Sequence, residues 1–189
     1  QSIPTEPASS KKVLVVGGSL GAKVLNDTVP QAMKQIKIQN ITVWHQTGKG
    51  HKDSVLANYQ EYDVPENNIK VTEFIDDMAA AYQWADVVVC RAGALTVSEL
   101  AMAAKPAIFI PLPHAVDDHQ TKNAMYLVAK NAAKLIPQKE FSGTNLAQML
   151  NSLFISDSVV QSMAKAAQDA AHADATITVA QTCMDLVKQ

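Results

Sequence analysis

Arg91-Ala92-Gly93-Ala94-Leu95-Thr96-Val97-Ser98-Glu99 is the stretch on which the reading of this chain turns. Before it runs Ala85-Asp86-Val87-Val88-Val89-Cys90, an apolar, β-branched run of the kind that forms a strand buried on both faces of a parallel sheet. After it come Leu100-Ala101-Met102-Ala103-Ala104, good helix formers. The stretch is therefore a strand-to-helix turn. Gly93 lets the backbone bend or approach a ligand closely. Thr96 and Ser98 place hydroxyls in the first helical turn, where unpaired amides and the helix dipole attract an anion such as phosphate. Glu99 sits one turn in, where a carboxylate can accept two hydroxyls of a sugar. The same residues also read as a capped helix whose Glu99 merely complements the dipole.

Bulk composition narrows the context. The 189 residues have room for one α/β domain, or one and a small extra piece, and a hydrophobic content of 48% supplies a sizeable core. Net charge is −2 with no basic block, which argues against a nucleic-acid partner. The two cysteines, Cys90 and Cys183, are far apart and form neither a disulfide framework nor a metal knuckle, in keeping with a reducing cytoplasm. No run of 18 apolar residues is present to span a membrane. Residues 1–11 read as a polar linker with Pro4 and Pro7, and 12–189 as the domain. The chain does not begin with Met, so a piece of a longer protein is expected.

The remaining turns follow the same plan. Residues 13–16 form a first strand, Gly17-Gly18-Ser19-Leu20-Gly21-Ala22 a glycine turn, and a helix runs to about Gln35. The spacing is not the dinucleotide fingerprint, because Ser19 stands where its second glycine belongs. The second strand, 41–48, ends without the acidic residue that a ribose of NAD requires, which argues against a nicotinamide cofactor. Helix 49–62 and a strand from Ile69 lead to Phe74-Ile75-Asp76-Asp77-Met78, with Asp76 as the expected cap of a helix reaching Trp84. The fifth strand, 107–110, lies between Pro106 and Pro111. The loop Pro111-Leu112-Pro113-His114-Ala115-Val116-Asp117-Asp118-His119-Gln120-Thr121-Lys122-Asn123-Ala124 then enters a helix, with Asp118 as a candidate cap. His114, Asp117 and His119 match no standard metal spacing, so no metal site is expected. A sixth strand, 133–136, and helices at 142–154, 156–173 and 176–188 close the chain. Six strands alternating with helices give a doubly wound, Rossmann-like parallel sheet, in which the turns at 17–22, 74–78, 91–99 and 111–124 open onto one edge.

Those four motifs, in that order, resemble the C-terminal half of the MurG family, and the match runs from about Lys12 to the final helix. That family transfers N-acetylglucosamine (GlcNAc) from UDP-GlcNAc to lipid I, inverting the anomeric centre and forming lipid II in peptidoglycan synthesis. Its fold is the GT-B pair of Rossmann-like domains. The resemblance implies that this chain is the donor-binding domain, with helices 156–189 packing on it or toward the N-terminal domain. It implies a glycine turn (Gly18, Ser19, Gly21) facing the diphosphate, with Ser19 donating a hydroxyl. Ile75 would pair with the uracil edge through its backbone, with Phe74 and Met78 beside the base. Gly93 would form the close turn, Ala94, Leu95 and Thr96 would hold the α-phosphate, and Glu99 the ribose hydroxyls. His119 and Gln120 stand where the family often carries two glutamines on the sugar hydroxyls. Arg91 belongs to the motif without an assigned contact.

The resemblance also implies what lies elsewhere. No catalytic residue is expected in this chain: the general base and the lipid I site belong to the N-terminal domain, and so does any membrane contact. The isolated chain is expected to be inactive. No cofactor is expected, because amides and hydroxyls aimed at the diphosphate stabilise the charge that grows there. The whole enzyme would be cytoplasmic, peripheral on the inner membrane. The competing readings are a freestanding uridine-nucleotide module and a UDP-GlcNAc epimerase-like domain.

Overall fold

A computed structural model describes residues 10–113 and 118–171. His114, Asp117, Cys183, the helix expected at 176–188 and the linker up to residue 9 lie outside the described residues. Six strands pair in parallel in the order β3-β2-β1-β4-β5-β6. They are β1 (Lys11–Val16), β2 (Ile41–Gln46), β3 (Ile69–Thr72), β4 (Val87–Cys90), β5 (Ala107–Phe109) and β6 (Ala133–Leu135). Lys11, expected in the linker, is the first residue of β1. The helices are α1 (Lys23–Gln35), α2 (Lys52–Glu61), α3 (Met78–Trp84), α4 (Ala94–Met102), α5 (His119–Val128), α6 (Gly143–Leu153) and α7 (Asp157–Ala170).

The two-residue period of each strand divides the core between the two faces of the sheet. Val13, Val15, Val43, Val87, Val89 and Ile108 pack with α1, α2 and α6, whereas Leu14, Val88, Cys90, Ala107 and Phe109 pack with α3, α4 and α5. This is why the strands read as continuous apolar runs. Cys90 is a buried hydrophobe, and burial pushes its thiol up to about 12, so it is inert as a nucleophile. Helix α7 spans both layers, with Met163 in the first and Ala167 and Ala170 in the second. Tyr126 donates to the Ala170 carbonyl at 2.6 Å.

Three local expectations are corrected. Asp77, not Asp76, caps α3, its carboxylate accepting from the Ala80 amide at 2.9 Å. Asp118 occupies the N-cap position of α5 but has φ 52° and makes no side-chain cap bond. Ser98 lies in the second turn of α4, and its hydroxyl bonds back to the Ala94 carbonyl at 3.1 Å.

A buried polar cluster ties the first layer to the site edge. Pro30, inside α1, has no N–H for the Asn26 carbonyl. Asn58 Nδ2 takes that carbonyl at 3.4 Å. The Asn26 side chain donates to Thr47 O at 3.1 Å and meets His45 Nε2 at 3.1 Å, while His45 Nδ1 meets the Tyr59 hydroxyl at 3.0 Å. With the Asn26 amide donating to Thr47, its oxygen accepts from His45 Nε2–H, and Nδ1 accepts from Tyr59. Burial of this neutral ring lowers the His45 pKa from 6.5 to about 3.

Because the folded pKa lies below the unfolded one, the unfolded chain binds the extra proton first. His45 therefore contributes stability above pH 6.5 that is progressively lost as pH falls toward 3. Urea melts should show this contribution shrinking by roughly 2–3 kcal/mol between pH 7.5 and about pH 4.5. The His45→Gln variant should have a shallower acid slope. Parallel slopes for the two proteins would contradict the buried neutral imidazole.

Candidate functional site

The carboxyl ends of β1 and β4 lie side by side, Val16 opposite Cys90, so the turns that follow them leave the sheet as neighbours. The first is the glycine turn. Gly21 has φ +75°, and an added Cβ would stand 2.2 Å from Thr47 O, so the β1 and β2 turns interlock backbone to backbone. Gly18 has φ +80° and open space around its Cβ position. Only a residue tolerant of positive φ fits either place.

Gln46, at the end of β2, holds this turn in shape. Its Oε1 accepts from the amides of Gly17 at 3.1 Å and Gly18 at 3.0 Å. Its Nε2 donates to Gly18 O at 2.9 Å and Glu73 O at 2.8 Å. The Gly21 amide returns to Gly18 O at 2.9 Å. The amides of Gly17, Gly18 and Gly21 are thus engaged inside the protein. Ser19 is exposed, and among the described residues its hydroxyl has no hydrogen-bond partner. Gln46 was missed in the sequence, since nothing local marks a strand-end glutamine as the partner of two distant turns.

The second turn leads into α4. Its N-cap, Gly93, has φ −62° and ψ 146°, and a Cβ there would come no closer than 3.8 Å to Thr96 Oγ1. The fold itself therefore does not demand glycine at this position; what Gly93 leaves open is the approach from outside. Helix α4 has neither a side-chain cap nor an acidic residue in its first turn, so the amides of Ala94, Leu95 and Thr96 are unengaged within the helix. Leu95 is 73% exposed and Leu20, in the facing glycine turn, 87%.

Glu99 lies on α4 with its carboxylate half-buried, and Tyr82 of α3 donates to its Oε2 at 2.9 Å. Tyr82 is itself buried, and that burial, with the bond and charge of Glu99, pushes its phenol far above the ordinary value. Met78, Tyr82, Glu99, Met102 and Lys105 line one open groove of about 650 Å³ between α3 and α4. Pocket size alone does not choose this place, since a groove of about 530 Å³ lies between α1 and α6, away from every motif. In the turn before α3, Phe74 is 48% exposed. Among the described residues, neither the amide nor the carbonyl of Ile75 has a hydrogen-bond partner. The Glu73 side chain anchors the neighbouring backbone, accepting from the Gly50 amide at 2.7 Å.

The loop after β5 is tied to the β4 turn by three side chains. Arg91 Nη1 donates to Ile110 O at 3.0 Å and Pro111 O at 3.3 Å, an internal strap that supplies the contact the sequence left unassigned. Gln120 Oε1 accepts from the amides of Ala92 at 3.2 Å and Leu112 at 3.0 Å, which leaves its Nε2 as the available donor. Asn123 Nδ2 donates to Ala92 O at 3.1 Å. His119, the first residue of α5, is exposed. Among the described residues no three His, Cys, Asp or Glu side chains come together as a metal set, and no helix is long and apolar enough to cross a membrane.

A parallel sheet in this order, with an uncapped helix start and a carboxylate one turn inside it at the β1–β4 switch point, is the architecture of a Rossmann-like α/β domain. Residues 12–179 match the model of the glycosyltransferase family 28 C-terminal domain, and the chain belongs to that family. It is 52% identical over 188 residues to the UDP-N-acetylglucosamine–N-acetylmuramyl-(pentapeptide) pyrophosphoryl-undecaprenol N-acetylglucosamine transferase of Colwellia psychrerythraea, covering 98% of this chain and 49% of that protein. Identity to the protein of the same name from Psychromonas ingrahamii is 50%, over 98% of this chain and 52% of that one. The crystal structure of Acinetobacter baumannii MurG is similar with a TM-score of 0.84 and 41% identity, over 97% of this chain and 51% of that one. The chain spans about half the length of the curated relatives it matches. The MurG resemblance read from the motifs is confirmed, and the freestanding-module and epimerase readings are not favoured.

Replacing Gln46 by Leu would remove four hydrogen bonds and strand the Gly18 amide, while the Gly17 amide and the Gly18 and Glu73 carbonyls each keep one backbone bond. The Gln46→Leu variant should be destabilised by about 1–3 kcal/mol in urea melts. A loss under about 1 kcal/mol would show that water replaces the clamp and that the turns do not depend on it.

Proposed function

We propose that this chain is the UDP-GlcNAc-binding half of the transferase that moves GlcNAc to lipid I, forming lipid II for peptidoglycan assembly and hence for cell shape and division. One observation carries this reading: Glu99, on the helix that starts at the switch point, shares an open groove between α3 and α4 with Met78, its carboxylate met by a neutral phenol. A carboxylate in that place suits a pair of ribose hydroxyls. Family membership supports the reading.

In this reading uracil lies against the turn at 74–78, with the unpaired backbone of Ile75 on its edge and Phe74 and Met78 beside the ring. Glu99 accepts the ribose hydroxyls. The amides of Ala94, Leu95 and Thr96 and the hydroxyls of Thr96 and Ser19 surround the diphosphate. Gly18 and Gly21 shape that turn rather than donate to it, and Gly93 gives the phosphate room to approach. The Nε2 of Gln120 and the ring of His119 take the sugar hydroxyls, while Arg91 holds the loops beneath them.

The chemistry follows from that arrangement. The bond from the sugar's anomeric carbon to the diphosphate breaks, and its electron pair stays on the diphosphate. A helix start that already presents amides there stabilises this charge without reorganising. The attacking 4-hydroxyl of the acceptor approaches from the opposite side, which inverts the centre. Its proton passes to a general base in the acceptor half of the enzyme. That half also supplies the lipid I site and the contact with the cytoplasmic face of the inner membrane.

Calorimetry with UDP, ADP and NAD tests the donor assignment. UDP should bind about tenfold or more tightly than ADP, a difference of roughly 1.4 kcal/mol. Equal affinity for UDP and ADP would contradict recognition of the pyrimidine edge at Ile75.

A further inference from the structure

Glu99 has one side-chain partner among the described residues, and it is not a cation. Tyr82 O–H donates to Oε2 at 2.9 Å, and Oε1 has no partner. Lys105 lines the same groove, but its Nζ donates to the Ala85 carbonyl at 2.8 Å. Tyr82 comes from a different helix and is only 5% exposed, packed in the second core layer with Ala81, Leu100 and Ala101. A ring held in that way has no freedom to swing, whereas a surface glutamate on its own samples many rotamers.

We propose that Tyr82 is the positioning residue for the ribose carboxylate: its buried phenol fixes Glu99 so that Oε1 and the remaining lone pair of Oε2 meet the 2′- and 3′-hydroxyls together. This rests on the reading of Glu99 as the ribose acceptor. A neutral donor does this better than an ion pair would. A Lys or Arg in the same place would take both oxygens or neutralise the charge, weakening what is offered to the hydroxyls. The phenol takes one lone pair and leaves the carboxylate charged. Burial, together with the bond to Glu99, holds that phenol protonated, so it stays a donor across the working pH range. Ordering Glu99 before the ligand arrives also removes a cost that binding would otherwise carry.

The test uses calorimetry on the wild type, Tyr82→Phe, Glu99→Ala and the double variant, each with UDP and with 2′,3′-dideoxy-UDP. Glu99→Ala should weaken UDP by about tenfold to a hundredfold and leave dideoxy-UDP unchanged. Tyr82→Phe should weaken UDP by about threefold to tenfold, leave dideoxy-UDP unchanged, and add nothing in the Glu99→Ala background. The ratio of the two affinities is read on one preparation, so partial unfolding of a variant lowers the bound fraction for both ligands and leaves the ratio intact. If Glu99→Ala is selective but Tyr82→Phe binds both ligands like wild type, or weakens both alike, Tyr82 only pins α3 to α4 and the proposal is overturned. If Glu99→Ala is itself unselective, the ribose assignment falls, and the role of Tyr82 with it.

Discussion

The parallel pairing of β1 with β4 is the constraint from which the site follows. Right-handed crossovers carry β2 and β3 to one side of β1, and β5 and β6 to the far side of β4. Between these two strands the connections diverge, and in an open parallel sheet such a switch point is where the carboxyl edge offers a crevice to a ligand. Val16 and Cys90 stand opposite each other at that point, so the glycine turn and the start of α4 face the same space. Everything assigned to the nucleotide hangs from these two turns or from the β3 and β5 turns beside them.

Position alone does not give a turn its shape, and here long-range carboxamides do that work. Gln46 joins the β1, β2 and β3 turns by satisfying two amides and two carbonyls at once. Gln120 and Asn123, with Arg91, do the same for the β4 and β5 turns. Buried backbone groups without partners are costly, so the carboxamides remove the loops' alternatives rather than add a large attraction. The result is a preorganised edge on which some amides are already engaged and others, at Ile75 and at the start of α4, remain open.

The sheet was legible because its central strands β4 and β5 are apolar on both faces and its helix starts follow glycine or capping residues. The four edge turns were legible for the same reason, and the family resemblance placed Glu99 and Ile75 within them. Cap identity slipped by one residue at Asp77, since adjacent aspartates carry the same local signal and only tertiary geometry separates them. Gln46 and Tyr82 carried no signal at all. Their roles exist only through partners 17 to 29 residues away. Arg91 had no assigned contact within its motif, and only the packing of the β5 loop reveals the carbonyls it holds.

The central claim is that one edge of this sheet receives a uridine diphosphate. Backbone amide shifts recorded by NMR during titration with UDP test it directly. The account predicts that the shifts concentrate at Ser19, Ile75, Ala94, Leu95 and Thr96. The amides of Lys12, Asp86, Asp157 and Gln161, which line a cleft at the opposite, amino end of the strands, should stay still. Saturable shifts at that amino-end cleft, with none at Ile75 or the start of α4, would contradict it.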